Sequence, residues 1–251
     1  YLGLARDPEV STAARAALDR YGSGGGASRL ITGDHPEYGT LEAELAALKG
    51  SDDALVFGSG YLANLGILTA LADRHDLILA DKLNHACLLD GARLSGARLL
   101  RYPHADTDAL RQRLRWYRGD YRHCLIVTDG VFSMDGELAP LARLAALAAE
   151  FGCWLMTDDA HGLGTVGDGA GSARAAGLAA AEVPLQMGTL SKAAGGYGGY
   201  LCASRALTDY LRNRARSFVY STALPPATVA GDAAAVGGIR RDPALCRRPL
   251  A

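Results

Sequence analysis

A single lysine, Lys192, stands where a lysine is unusual. It follows an apolar run, residues 185–190, that is typical of a buried strand, and hydroxyl and glycine residues flank it. Lysine is normally a solvated surface residue, whereas a partly desolvated amine loses its proton more easily and can attack a carbonyl group. The stretch therefore has two interpretations: a surface loop that carries a lysine, or a lysine that forms an imine.

Three further polar residues could act with this lysine. Asp158 and His161 follow one apolar run, and His85 follows another that ends at Asp81. Singly, each has a simpler explanation, because Asp158 and His85 could cap a turn or a helix and His161 could be an ordinary loop histidine. Together with Lys192, they are the groups that an aldehyde cofactor with a pyridine ring requires.

A glycine loop, residues 58–60, is a candidate anion site. It joins a short predicted strand, Ala54–Phe57, to a predicted helix that starts near Tyr61. Free N–H groups at a helix start point outward, and the helix dipole favours a negative charge there. A phosphate is the natural occupant, although small glycine turns also precede many helices that bind nothing.

Alternating strands and helices must position these groups. The predicted strands are Ala54–Phe57, Leu77–Asp81, Arg98–Tyr102, His123–Thr128, Cys153–Thr157, a run ending at Thr189, and Gly199–Ala203. The predicted helices are Val10–Tyr21, Leu41–Lys49 with Thr40 as its N-cap, Tyr61–Ala72, His85–Ser95, Asp106–Tyr117, Leu141–Phe151, Arg205–Phe218 and Pro225–Ile239. This alternation predicts an α/β fold with a mostly parallel sheet flanked by helices. Ligands bind beyond the carboxyl ends of such strands, where Asp81, Asp129, Asp158 and Thr189 are expected.

Composition excludes several classes of protein. The 251 residues carry a net charge of -1 and only 7% aromatic residues, so neither a phosphate-backbone footprint nor a base-stacking surface for nucleic acid is indicated. Five widely spaced cysteines are typical of reduced core thiols, and no residue spacing suggests a metal site. With no apolar leader and no apolar run near twenty residues, a cytoplasmic protein without a membrane span is expected.

Four segments resemble the α-oxoamine synthases, which are pyridoxal-phosphate (PLP) enzymes of aminotransferase fold type I. They lie in order, with compatible spacing, through nearly the whole chain: residues 83–91, 128–136, 157–162 and 188–193. The resemblance implies the large domain of that fold, bound pyridoxal 5'-phosphate, and a homodimer with its active site at the subunit interface.

The resemblance also implies roles for individual residues. Lys192 would hold PLP as an imine and move protons at the substrate α-carbon. Asp158 would pair with the ring nitrogen, His161 would hydrogen-bond the ring hydroxyl, and His85 would stack on the ring face. Further cofactor contacts are implied for Gly60, Tyr61, Ser133, Thr189 and, toward the neighbouring subunit, Thr222. Asp129 occupies a position where some synthases have glutamate, and it is left out of the catalytic set.

The implied reaction is the decarboxylative condensation of an amino acid with an acyl thioester. Residues 131–136 and 158–162 most resemble the family member that joins L-alanine to a pimeloyl thioester, carried by CoA or by an acyl carrier protein, in biotin biosynthesis. Two alternatives stay open. One is a member that uses glycine, such as 2-amino-3-ketobutyrate CoA ligase or 5-aminolevulinate synthase, and the other is a non-catalytic scaffold protein of this fold.

Three regions are predicted along the chain. Residues 1–40 form an N-terminal arm and helix, residues 41–236 a PLP-binding large domain, and residues 237–251 the start of a truncated C-terminal domain. In the family, an asparagine and two arginines of the substrate site and a threonine near the acyl channel come from segments outside these residues. A protein that ended at Ala251 is therefore expected to bind the cofactor with impaired or absent turnover.

Overall fold

The computed structural model, which describes residues 1–250 and the side chains of residues 1–247, contains one seven-stranded sheet. The strands are β1 (Asp53–Phe57), β2 (Leu77–Asp81), β3 (Arg98–Tyr102), β4 (Cys124–Asp129), β5 (Trp154–Asp158), β6 (Leu185–Thr189) and β7 (Gly199–Ala203). Their order across the sheet is β1-β7-β6-β5-β4-β2-β3. Only β7 runs antiparallel to its neighbours, so the predicted mostly parallel sheet is confirmed.

Ten α-helices lie in the described part of the chain. They are α1 (Pro8–Tyr21), α2 (Pro36–Lys49), α3 (Gly60–Leu71), α4 (Ala86–Ser95), α5 (Thr107–Tyr117), α6 (Leu141–Phe151), α7 (Ser172–Ala175), α8 (Arg205–Arg214), α9 (Arg216–Val219) and α10 (Pro226–Arg241). Short 3₁₀ helices span Leu4–Arg6, Arg118–Asp120, Gly167–Gly169 and Pro243–Leu250. No helix among the described residues is long and apolar enough to cross a membrane.

Both faces of the sheet are covered because its strands are apolar on both sides. Successive strand residues point to opposite faces, so Ile78 packs with α3, α4 and α8 while its neighbour Leu79 packs with α5 and α6. Toward the β1 edge, α2 and α10 cover the second face around Val56. This double burial explains why the strands are near-continuous apolar runs in the sequence.

The start of α2 differs from the prediction. The helix begins at Pro36 and not at Leu41, and its N-cap is His35 and not Thr40. Proline suits the first helical position because its φ angle is preset and no N–H donor is needed there. Thr40 consequently lies inside the helix, one turn after the true start.

The predicted helix Arg205–Phe218 is two helices. Between α8 and α9, Ala215 is extended, with φ -71° and ψ 104°, and it is fully buried. The bend brings Ser217 to α3, where its hydroxyl donates to the carbonyl oxygen of Leu62 at 2.6 Å. Packing against α3 therefore overrides the helical pattern of the sequence.

Other features agree with the sequence at the level of elements. The remaining predicted helices and strands are present, with ends that differ by no more than two residues. All five cysteines are free thiols. The division at residues 40 and 236 stays a prediction; α2 and α10 each run across one of these positions and pack against each other.

Candidate active site

A cavity opens at the carboxyl ends of the central strands. The last residues of β2, β4, β5 and β6 are Asp81, Asp129, Asp158 and Thr189, as predicted. The last three line a cavity of about 200 Å³ together with Lys192. Asp81 is not among its lining residues and hydrogen-bonds instead to the loop after β3. The rule on strand ends thus located the site but included one residue with a separate role.

Lys192 lies in the tight loop between β6 and β7. The Leu190 N–H donates to Gly198 and the Gly196 N–H donates back to Leu190, both at 3.0 Å. Gly198 has a φ angle of 132°, which residues other than glycine rarely adopt. The half-buried Lys192 amine faces the cavity and has no hydrogen-bond partner among the described side chains and backbone groups. It is therefore available to react.

Asp158 is a buried carboxylate held by two N–H groups. Asn64 Nδ2 donates to Oδ2 at 2.7 Å, and the Ala160 N–H donates to Oδ1 at 3.0 Å. Burial raises the pKa of Asp158, while these two donors and the charge of Lys192 oppose the rise. Asp158 forms no ion pair within residues 1–247, so a cationic group in the cavity would complete its surroundings.

Two residues near Asp158 were missed from the sequence. Asn64 is an amide on the apolar helix α3; it is fully buried, and its Oδ1 has no partner in the described part of the chain. Its Nδ2 also lies 2.9 Å from Cys87 Sγ, which lies 2.8 Å from His85 Nδ1. Burial raises the pKa of Cys87 to about 12, which keeps the thiol neutral. A buried amide among apolar residues was the available signal for Asn64.

The two predicted histidines both line the cavity. His85 caps α4, because its Nδ1 accepts the Cys87 N–H at 3.3 Å. His161 Nδ1 lies 2.6 Å from the Tyr1 hydroxyl, a contact that the sequence did not suggest. Burial, with the charges of Lys192 and His85, lowers the pKa of His161. A neutral His161 ring can offer one N–H donor to a ligand.

The glycine loop leaves free donors at the start of α3. Ser59 is the N-cap, and its Oγ accepts the Leu62 N–H at 3.2 Å. The N–H groups of Gly60 and Tyr61 have no partner in the part of the chain that the structure describes. A Cβ atom on Gly60 would lie 3.2 Å from Met187 Cε, so glycine allows the loop to approach β6 closely. This geometry suits an anion.

The structure brings all but one of the predicted site residues together. Thr189 hydrogen-bonds through Oγ1 to Ser191 Oγ at 2.9 Å and to Gly198 O at 2.7 Å, and Ser133 lies at the exposed rim. Thr222 lies elsewhere, in the segment before α10, beside a separate small cavity. Its expected role toward a neighbouring subunit stays a prediction.

Comparisons with known proteins agree with this geometry. The family described as aminotransferase class I and II matches residues 1–234. The 8-amino-7-oxononanoate synthase of Methylobacterium nodulans is 57% identical over 251 residues, which are 100% of this chain and 63% of the relative.

Two solved structures have the same fold. A serine palmitoyltransferase variant from S. paucimobilis, solved with a bound PLP–myriocin aldimine, is 32% identical with a TM-score of 0.91 and covers 95% of this chain and 60% of that one. The 8-amino-7-oxononanoate synthase of Francisella tularensis is 32% identical with a TM-score of 0.81 and covers 96% and 67%. The chain spans between 63% and 65% of the length of the first four curated relatives.

Proposed function

Because the chain belongs to the aminotransferase class I and II family, we propose that it forms the cofactor-binding part of a PLP-dependent acyltransferase. The reaction is the condensation of L-alanine with a pimeloyl thioester, with loss of carbon dioxide, to give 8-amino-7-oxononanoate for biotin biosynthesis. The relatives named for this activity, more than half identical over the whole chain, support the substrate choice. The observation that carries the proposal is the unpartnered amine of Lys192 in a cavity with Asp158.

The residues of the cavity fit PLP in three respects. Asp158 has hydrogen bonds but no cation, which suits a protonated pyridine nitrogen. The unpartnered N–H groups of Gly60 and Tyr61 suit a phosphate. Lys192 has a free amine for the cofactor aldehyde. The remaining contacts that we propose are His161 to the ring hydroxyl, His85 on the ring face, and hydroxyls of Ser133, Thr189 and the partner subunit's Thr222.

When bound, PLP supplies an electron sink for negative charge at the amino-acid α-carbon. Asp158 keeps the ring nitrogen protonated, and Asn64 holds that carboxylate in place at 2.7 Å. Lys192 takes the proton from the α-carbon, because its amine is the basic group that lines the cavity without a hydrogen-bond partner. His85 covers one face of the site and limits the access of water.

Absorbance spectroscopy tests the cofactor assignment. The whole protein with PLP should show an imine absorbance band that Lys192→Ala abolishes. Lys82→Ala is the matched control, because Lys82 is an exposed lysine outside the cavity, and it should retain the band. A band retained in Lys192→Ala would rule out the imine at Lys192, whereas absence of the band from the wild-type protein would leave the cofactor-free scaffold interpretation.

A substrate panel tests the reaction. Alanine, glycine and serine should be compared for spectral change in the loaded protein, followed by release of thiol and carbon dioxide from pimeloyl-CoA and from a pimeloyl carrier protein. We expect alanine to react. A response to glycine alone would overturn the alanine assignment in favour of a glycine-using member of the family.

Assembly and location belong to the same proposal. The active site of a homodimer would receive Thr222 from the partner subunit, which agrees with the absence of this residue from the lining of its own subunit's cavity. Five free thiols suit a reducing compartment such as the cytoplasm.

A further inference from the structure

Asp129, at the end of β4, is a buried carboxyl group that the proposed reaction does not use. It is 7% exposed and lines the cavity. Its Oδ2 accepts the His85 N–H at 3.1 Å, and its own N–H donates to Asn84 Oδ1 at 3.1 Å. Its Oδ1 is buried without a hydrogen-bond partner in the described residues. A buried polar atom rarely stays unpaired, because losing its hydrogen bonds to water is costly. The missing partner of Oδ1 should therefore be a ligand.

The neighbouring Asp158 determines the protonation of Asp129. The two residues are register partners on the parallel strands β4 and β5, so their side chains lie on the same side of the sheet. Two adjacent buried carboxyl groups cannot both ionise easily. Asp158 accepts two N–H groups whereas Asp129 accepts one, which favours the charge on Asp158 and the proton on Asp129.

The other charged groups around Asp129 agree with this assignment. Burial, and then the charge of Asp158, raise the pKa of Asp129 to about 8, with a smaller rise from Asp81. The His85 N–H and the charge of Lys192 act in the opposite direction. The neutral form therefore dominates near pH 7, and a neutral carboxyl group is a hydrogen-bond donor.

We propose that Asp129 is a further ligand-binding residue of the site, a neutral acid that donates a hydrogen bond from Oδ1 to an anionic oxygen of the bound ligand. Two sources offer such an oxygen: the ring oxygen of the cofactor and the carboxylate of the amino acid. The inference rests on the proposed function for the identity of these ligands. At this edge of the sheet, an ionised Asp158 and a protonated Asp129 would then lie side by side with different roles.

Two substitutions separate the hydrogen bond from the titration. Asp129→Asn can still accept the His85 N–H and still donate to the ligand, but it does not ionise. Asp129→Ala loses both contacts. The affinities to be measured in the whole protein, from pH 6 to pH 10, are those for PLP and, with PLP bound, for alanine. These two arms distinguish the cofactor from the amino acid as the source of the oxygen.

For the ligand that accepts this hydrogen bond, PLP or alanine, the affinity of wild type should fall about tenfold per pH unit above the pKa of Asp129. This fall should be steeper than any fall in the affinity of Asp129→Asn. All other pH-dependent contributions are common to the two proteins, so the difference between them isolates Asp129. At pH 7, Asp129→Asn should bind within a few-fold of wild type and Asp129→Ala roughly 10- to 100-fold more weakly. Identical pH profiles for wild type and Asp129→Asn in both arms would overturn the proposal.

Infrared spectroscopy supplies a readout that needs neither catalysis nor a soluble Asp129→Ala variant. At pH 7, the wild-type protein with ¹³C-labelled aspartate should show a stronger protonated-acid carbonyl band than Asp129→Asn, in which the band of the buried Asp232 remains. Bands of equal strength in wild type and Asp129→Asn would sink the proposal. A missing imine band with PLP would instead refute the proposed function, while the protonated acid would still be detected.

Discussion

Asp232, on α10, is expected to make the stability of the protein fall as the pH rises. Its side chain is buried, and neither carboxyl oxygen has a well-formed hydrogen bond to the described residues. It packs against the loop after Lys192 so closely that a Cβ atom on Gly196 would lie 1.7 Å from Oδ1. Burial raises the pKa of Asp232 from 3.8 to about 8, an effect that the nearby Tyr197 N–H only partly offsets.

The sign and size of the effect follow from proton linkage. When folding raises the pKa of a carboxyl group, the free energy of unfolding is greatest below the pKa of that group in the unfolded chain. It decreases as the pH rises from that value toward the pKa in the folded protein. Each pKa unit corresponds to about 1.4 kcal/mol. Between pH 4 and pH 7, Asp232 should therefore lower the free energy of unfolding by about 4 kcal/mol.

Thermal or denaturant unfolding of Asp232→Asn at several pH values measures this term. The free energy of unfolding of the variant, relative to that of wild type, should increase by about 4 kcal/mol from pH 4 to pH 7, which corresponds to roughly 10 °C in Tm. The cost of burying an amide is the same at both pH values and cancels. Asp242→Asn, at the exposed residue that follows the same helix, is the matched control for the substitution. A difference between Asp232→Asn and wild type that stays constant with pH would refute the reasoning.

Three further predictions concern the surroundings of the site. Asn64→Leu removes a donor to the Asp158 carboxylate and should weaken PLP binding roughly 10- to 100-fold, measured by fluorescence titration; unchanged affinity would contradict the role of this amide. Lys49→Met leaves the buried Asp159 carboxylate, 2.6 Å from the Lys49 amine in wild type, without a cation, and should lower the free energy of unfolding by about 3–5 kcal/mol in denaturant unfolding. A decrease below about 1 kcal/mol would argue against a buried ion pair. Gly199→Ala places a Cβ atom 2.5 Å from the carbonyl oxygen of Ser59, just before α3, and should weaken PLP binding at least tenfold. The control Gly119→Ala, whose Cβ atom would have no atom within 4 Å, should leave PLP binding unchanged.

Much of the site was predictable because parallel strands end at one edge of a sheet. The apolar runs located the strands, and the residue after each run located the edge, which placed Asp158, Thr189 and Lys192 together before any distance was known. His85 and His161 followed because each comes within a few residues of a strand end. Local sequence thus located the candidate site residues that the family resemblance also implied.

The supporting contacts were not predictable, because they join residues that are distant in the chain. Asn64 bonds to Asp158 from another element, and the Lys49–Asp159 ion pair joins α2 to the end of β5. No periodicity records such a pairing. The break at Ala215 was missed for a related reason: the residue is a good helix former, and only its packing against α3 imposes the extended backbone.

The antiparallel placement of β7 has a consequence for how the site assembles during folding. β6 and β7 are consecutive in the chain and joined by the Lys192 loop, so their pairing closes a short loop, whereas the pairing of β7 with β1 closes a very long one. Short loops close at a lower entropic cost. The pairing of β6 with β7 can therefore form early, while the loop of residues 58–60 reaches it only through the long-range pairing of β7 with β1. The two halves of the cavity, which lie far apart in the chain, therefore meet through a long-range step.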